Sequence, residues 1–140
     1  MKNPIYPCLW FDNNAAEAAA FYCSVFPNSS ITSQNPVVTI ADLNGRKTMF
    51  LNGGPVFTFN ESVSFVIECE TQEEIDYYWN TLTEGGKESM CGWLKDKYGV
   101  SWQVVPSMLG SLMNNPEKGP RVMQAFLKMK KFIIQDLLDA

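Results

Sequence analysis

The chain has 140 residues, 46% hydrophobic and 19% charged, with a formal net charge of −4 and no histidine. That is enough chain to bury one substantial core, and with Lys and Arg gathered only near Lys128, Lys130 and Lys131 it lacks the broad basic footprint of a nucleic-acid surface. The missing histidine excludes a His-containing triad, a His general base and a His-ligated zinc or iron site within this chain.

Ile5 to Phe11 is apolar and aromatic and reads as a buried strand. Asn14, with Glu17 three residues on, predicts a capping box for an alanine-rich helix whose apolar side carries Phe21, Val25 and Phe26 and which ends at Pro27. Short strands follow at Ile31 to Gln34 and Val37 to Leu43. Asn44-Gly45 then predicts a tight hairpin into a strand from Arg46 to Leu51, and Asn52-Gly53-Gly54-Pro55 breaks the pattern. The scheme then restarts. Ser62 to Cys69 reads as a strand. Thr71 and Glu74 predict a capping box for a second helix with Tyr77, Tyr78 and Leu82 on its apolar side, and Gly85-Gly86 stops it.

Cys91 to Pro106 (CGWLKDKYGVSWQVVP) reads as two strands joined by a turn at Asp96-Lys97-Tyr98-Gly99. Alternation places Ser101, Gln103 and Val105 on one face, able to line a cavity, and Trp102 and Val104 on the other, facing a core. Beyond Pro106 the tail reads as helical. Pro116 and Pro120 suit helix starts, apolar residues recur at Val122, Met123, Phe126 and Leu127 and again from Ile133 to Leu138, and such a tail needs a surface to pack on. Lys128, Lys130 and Lys131 read as a solvated helix face.

No apolar run reaches the length of a membrane span, and the N-terminus lacks the basic start and apolar centre of a signal peptide. The expectation is a cytoplasmic protein with no membrane and no nucleic-acid partner. Cys8, Cys23, Cys69 and Cys91 are widely spaced without metal-type pairing, so reduced, buried thiols are expected.

Four segments, FDNNAAEAAAFYCSVFPNS, ECETQEEIDYYWNTLTEGG, CGWLKDKYGVSWQVVP and RVMQAFLKMKK, together resemble the PhnB-like proteins of the glyoxalase/bleomycin-resistance/dioxygenase (vicinal oxygen chelate) superfamily. The resemblance implies an α+β fold of paired βαβββ modules whose curled mixed sheets surround a cavity. It assigns residues 1–140 to one domain, with module one at about 1–55, module two at about 60–106 and a helical tail at 107–140. It also implies a homodimer and, from a label carried by some members, a 3-demethylubiquinone-9 3-methyltransferase domain. No strand is followed by the glycine-rich turn and helix that would cradle an adenosyl cofactor. The superfamily's metal-ligand positions fall near Ile5, Ser64, Asn52 and Gln103, which offer only neutral oxygens or no donor, so no metal and no cofactor is expected. The segment between Gln34 and Val37 is shorter than the Gly-rich loop of many relatives, and Val56 stands where they often carry His.

The candidate ligand-binding residues are Gln103, Ser101, Ser64, Asn52, Glu68 and Trp93. Gln103 could orient a ligand through its amide or satisfy polar groups within the sheet. Glu68 could act as a base if desolvated, or stand in water as an edge carboxylate. Trp10, Trp79, Trp93 and Trp102 could stack on a planar ligand or fill the core. Cys69 and Cys91 have no neighbour in sequence that would activate a thiolate. Together these residues point first to a small-molecule binder of unspecified ligand, then to a glyoxalase- or dioxygenase-type metalloenzyme, and last to a methyltransferase.

Overall fold

The computed structural model describes residues 1–140 as two compact units, Met1–Phe59 and Asn60–Ala140. The first unit runs β1 (Cys8–Phe11), α1 (Ala15–Val25), β2 (Ser30–Gln34), β3 (Val38–Leu43), β4 (Arg46–Asn52). The second repeats that order with β5 (Ser64–Cys69), α2 (Gln72–Thr83), β6 (Lys87–Glu88), β7 (Trp93–Lys95), β8 (Ser101–Pro106), then adds α3 (Leu109–Met113), α4 (Gly119–Phe126) and α5 (Ile134–Leu138). The fold is α+β, with two open, mixed, four-stranded sheets ordered β1-β4-β3-β2 and β5-β8-β7-β6. In each, the first strand lies parallel to the last and the other pairings are antiparallel. No helix is long and apolar enough to cross a membrane.

In the first unit, Leu9, Phe11, Ala41 and Phe50 are buried on the sheet face that α1 covers. The helix meets them with Ala15, Ala18, Ala19, Tyr22 and Val25, a stripe at helical spacing whose small residues let the helix approach closely. This places Tyr22 inside rather than Phe21. Tyr22 is fully buried, its ring 5.9 Å from that of Phe50. The expected capping box at Asn14 does not form: its side chain makes no capping bond. The Ala15 N–H instead donates to Asn52 Oδ1 at 2.9 Å, so the helix end is satisfied by a residue from the end of β4. The first strand begins at Cys8 rather than Ile5, because Pro7 has no N–H to give the ladder; its carbonyl accepts from the Met49 N–H, and Ile5 is left exposed. The Asn44-Gly45 hairpin forms as expected, with positive φ at both residues (50° and 84°), the signature of a type I′ turn.

In the second unit the expected Thr71 cap forms: the Thr71 hydroxyl accepts from the Glu74 N–H, while the Glu74 carboxylate reaches one residue past the cap and accepts from the Glu70 N–H, so the reciprocal half of the capping box is displaced by one residue. Helix α2 buries Ile75, Trp79 and Leu82, not Tyr77 and Tyr78. The two tyrosines stack edge to face on each other with ring centroids 4.9 Å apart, and Tyr77 is exposed. Trp102 and Val104 are core, as alternation predicts. Asp96 knits the β7–β8 turn: one carboxylate oxygen accepts from the Tyr98 and Val100 N–H groups, and the other accepts from Trp102 Nε1 at 2.8 Å.

The tail packs on its own unit. The Cys91 and Gly92 N–H groups donate to the Met129 and Lys130 carbonyls at 2.7 and 2.8 Å. Gln72 grips the chain on both sides of buried Phe132, donating to the Phe132 carbonyl and accepting from the Ile134 N–H. Lys131 is not part of a free solvated face: its Nζ lies 2.7 Å from Asp76 Oδ1 on α2. That ammonium, donating to the Asp76 carboxylate, holds it below the ordinary carboxylate range.

Candidate functional site

Because α2 covers one face of the second sheet, the other face is left for polar work. Register places Lys87, Lys95, Ser101 and Ser64 in one row across β6, β7, β8 and β5, with Trp93, Gln103 and Val66 in the next row. Residues directly opposite in a ladder project from the same side. Four of the six expected site residues, Ser101, Gln103, Ser64 and Trp93, therefore share one face. Glu68 lies on it too, at the far end of β5 opposite Val105, where it is exposed to solvent. Asn52 belongs to the first unit, and its side chain is committed at both ends: Oδ1 accepts from Ala15, and Nδ2 donates to the Pro36 carbonyl at 3.1 Å.

A hollow of about 440 Å³ opens beside this row, lined by Glu61, Lys87, Met90, Trp93, Lys95 and Ser101 among others. Gly86 makes its far wall possible. A Cβ there would lie 2.1 Å from the Lys95 carbonyl oxygen, so only glycine lets β6 come alongside β7. Between the lining residues Cys91 and Trp93, Gly92 packs tightly against the tail, since a Cβ there would meet both the Phe132 ring and the Val104 carbonyl at 2.6 Å.

The polar groups in and around the hollow are in different states; Gln103 and Ser64 share the sheet face but do not line the hollow. Lys95 Nζ lies 2.7 Å from Glu61 Oε1, and this hydrogen bond, with the Lys95 charge and a smaller contribution from Lys87, lowers the Glu61 carboxyl below its usual range. Gln103 Nε2 donates to Ser64 Oγ at 3.0 Å, so this amide is engaged with a neighbouring strand. Glu88 sits opposite Leu94, in register with the helix-covered face, and its carboxylate accepts from Trp79 Nε1 at 3.2 Å. Ser101 is only 1% exposed, and its hydroxyl has no hydrogen-bond partner in the protein. Of the four cysteines only Cys69 is buried, contrary to expectation: Cys8 is exposed, Cys23 is half-buried, and half-buried Cys91 lines the hollow, whereas the Cys69 thiol, away from it, is pushed up to about 11 chiefly by desolvation and so is protonated at neutral pH.

Lys87, Lys95 and Glu61 were not singled out by the sequence. A two-residue strand after Gly85-Gly86 carries no periodicity, so the pairing of Lys87 with Lys95 emerges only from the register. The one available signal was a Lys at the same parity as Ser101 across a predicted turn.

The donor set does not fit a divalent metal. Ile5 is apolar, the Asn52 amide is occupied, and Ser64 and Gln103 are bonded to one another. No group of three or more His, Cys, Asp or Glu side chains is gathered as a metal site. An adenosyl cofactor fits no better. The turn from β1 to α1 is Asp12-Asn13-Asn14 and that from β5 to α2 is Glu70-Thr71, neither with the glycine that lets a backbone approach a cofactor closely.

Comparison with known proteins agrees with this architecture. The family model described as 3-demethylubiquinone-9 3-methyltransferase matches residues 3–105, leaving the tail outside it. The PhnB protein from Bacillus cereus is 33% identical, with a TM-score of 0.69 over 75% of this chain and 100% of that one. Protein PA1353 from Pseudomonas aeruginosa is 20% identical, with a TM-score of 0.60 over 75% of this chain and 98% of its own. The fosfomycin resistance protein FosX from Listeria monocytogenes, in a complex with Mn(II) and sulfate, has a TM-score of 0.56 at 10% identity over 74% and 89% of the two chains, a likeness of fold alone. No curated protein matches the chain. With nearly all of both sheets inside the match and a third of the aligned positions shared with the Bacillus cereus protein, the chain belongs to the PhnB-like, 3-demethylubiquinone-9 3-methyltransferase family and has the fold of the glyoxalase/bleomycin-resistance proteins.

Proposed function

We propose that this protein binds a small molecule in the hollow on the open face of its second sheet, with Ser101 at the centre of the site and Trp93 and Gln103 beside it. The volume of about 440 Å³ lies within the range of ligand pockets, and the lining combines apolar surface from Trp93 and Met90 with a few convergent polar groups. The observation that carries the reading is the Ser101 hydroxyl. Buried polar groups in folded proteins are nearly always hydrogen-bonded, and this one has no partner within the protein, so a ligand that bonds to it makes an interaction no protein group supplies. The methyl transfer in the family's description draws no support from the chain's own βα turns, and metal-assisted chemistry draws none from its donor set.

The test is a thermal-shift screen of metabolites and aromatic antibiotics, run in parallel on the wild type and on Ser101→Ala. A compound that binds only the native state raises the melting temperature by mass action, by about 2.7 kcal/mol of added stability at a hundredfold excess over its Kd. The expected result is at least one compound whose shift is large in the wild type and clearly smaller in Ser101→Ala. Compounds that shift both proteins equally would remove Ser101 from the site and the reading with it.

A further inference from the structure

Resting on that reading, we infer that the ligand carries a single negative charge, as a carboxylate or similar oxyanion, bound between Lys87 and Lys95 and taking a hydrogen bond from Ser101. The argument begins with an arrangement that β-sheets avoid. Lys87 and Lys95 are directly opposite on adjacent antiparallel strands, where like charges repel. One carboxylate, Glu61, is bound to Lys95, and Lys87 has no carboxylate within ion-pair distance.

The second nearby acid does not restore the balance. Glu88 is held by the Trp79 indole and is in register with the helix-covered side of the sheet. Along this row, with Glu68 away at the far end of β5 and the Glu88 carboxylate bonded to Trp79, two ammonium groups meet one carboxylate, a local surplus of one positive charge beside a buried hydroxyl that has no partner in the protein. Ser101 sits directly across the ladder from Lys95, and Lys95 directly across from Lys87, so one hydroxyl-bearing and two ammonium-bearing side chains stand in a single row on one face. An oxyanion placed there separates the two lysines, accepts from Ser101, and leaves the Lys95–Glu61 pair in place. Charge-assisted bonds of this kind are about twice as strong as neutral ones. The body of the ligand would lie along Trp93 and Met90, which favours an apolar or aromatic acid.

The experiment uses two probes that differ in charge and little else, 1-naphthaleneacetate and its uncharged carboxamide, titrated into isotope-labelled full-length protein. The signals followed are the Trp93 indole N–H and the Ser101 backbone amide. The expected result is that both probes move these signals, that the acid binds about tenfold more tightly than the amide, and that Lys87→Met and Lys95→Met each erase most of that acid-over-amide preference. Equal affinities for acid and amide, or a preference that survives both lysine variants, would overturn the anionic-ligand inference while leaving the binding site standing. If neither probe moves either signal, the binding reading itself falls, and this inference falls with it.

Discussion

Removing the Ser101 hydroxyl should make the empty protein more stable, which is the opposite of what most buried substitutions do. A buried hydroxyl without a partner forfeits about 1–3 kcal/mol of lost hydration. Ser101→Ala recovers that amount and leaves a void the size of one hydroxyl, worth roughly 0.5 kcal/mol at the usual cost per unit volume. The net expectation is a gain of about 1 kcal/mol, or a rise of roughly 3 °C in melting temperature for a chain of this size. Urea unfolding followed by tryptophan fluorescence measures it: the midpoint should rise with no change in slope. Ser64→Ala is the internal control, and its sign should be reversed. Ser64 Oγ accepts from Gln103 Nε2, so deleting it strands an amide donor and costs about 1 kcal/mol. If Ser101→Ala is destabilising to the same extent as Ser64→Ala, the Ser101 hydroxyl is bonded in solution, and the case for a ligand at that point is lost.

Two further outcomes follow from the way the tail is held. Gly92→Ala should cost about 3 kcal/mol or more, because the residue has φ +80° and its Cβ would press on the Val104 carbonyl oxygen as well as the Phe132 ring; proteolysis should then cut the tail first, and a variant as stable and as resistant as the wild type would refute the docking. The Lys131–Asp76 pair predicts an acid effect of known sign. Asp76 titrates below its ordinary value of 3.8 when folded, so its contribution is complete above the unfolded value and is lost as pH falls through the lower folded one. Its side chain is 42% exposed, so solvent screening limits the pair to under about 1 kcal/mol. The stability difference between wild type and Lys131→Met should be constant near neutrality, vanish in strong acid and shrink with added salt; a difference independent of pH would show that Lys131 acts by packing.

Features legible in the chain itself are those whose cause lies within a few residues. Asn44-Gly45 gives a hairpin because both residues tolerate positive φ. Thr71 and Glu74 cap α2 because the partners are three residues apart. Trp102 and Val104 face the core while Gln103 does not, because a strand alternates. The clustering of Ser64, Ser101, Gln103 and Trp93 on one face was also within reach, since parity alone puts them there once the strands pair.

What the tertiary structure alone decided depends on partners far apart in sequence. Asn14 and Glu17 have the spacing of a capping box, yet the donor at Ala15 is taken by Asn52, which β4 delivers to the helix end. Tyr22 displaces Phe21 from the core because the alanine stripe, not the larger ring, sets which side of α1 can approach a sheet. The tail could not be placed from its own pattern, because its anchors are backbone groups of Cys91 and Gly92 and the amide of Gln72. The juxtaposition of Lys87, Lys95 and Ser101 comes from strand register, which a two-residue strand does not encode locally and which Gly86 permits by leaving room for the Lys95 carbonyl. Local backbone chemistry travels with the residues, whereas the charge surplus and the unpartnered hydroxyl exist only where separate strands are brought side by side.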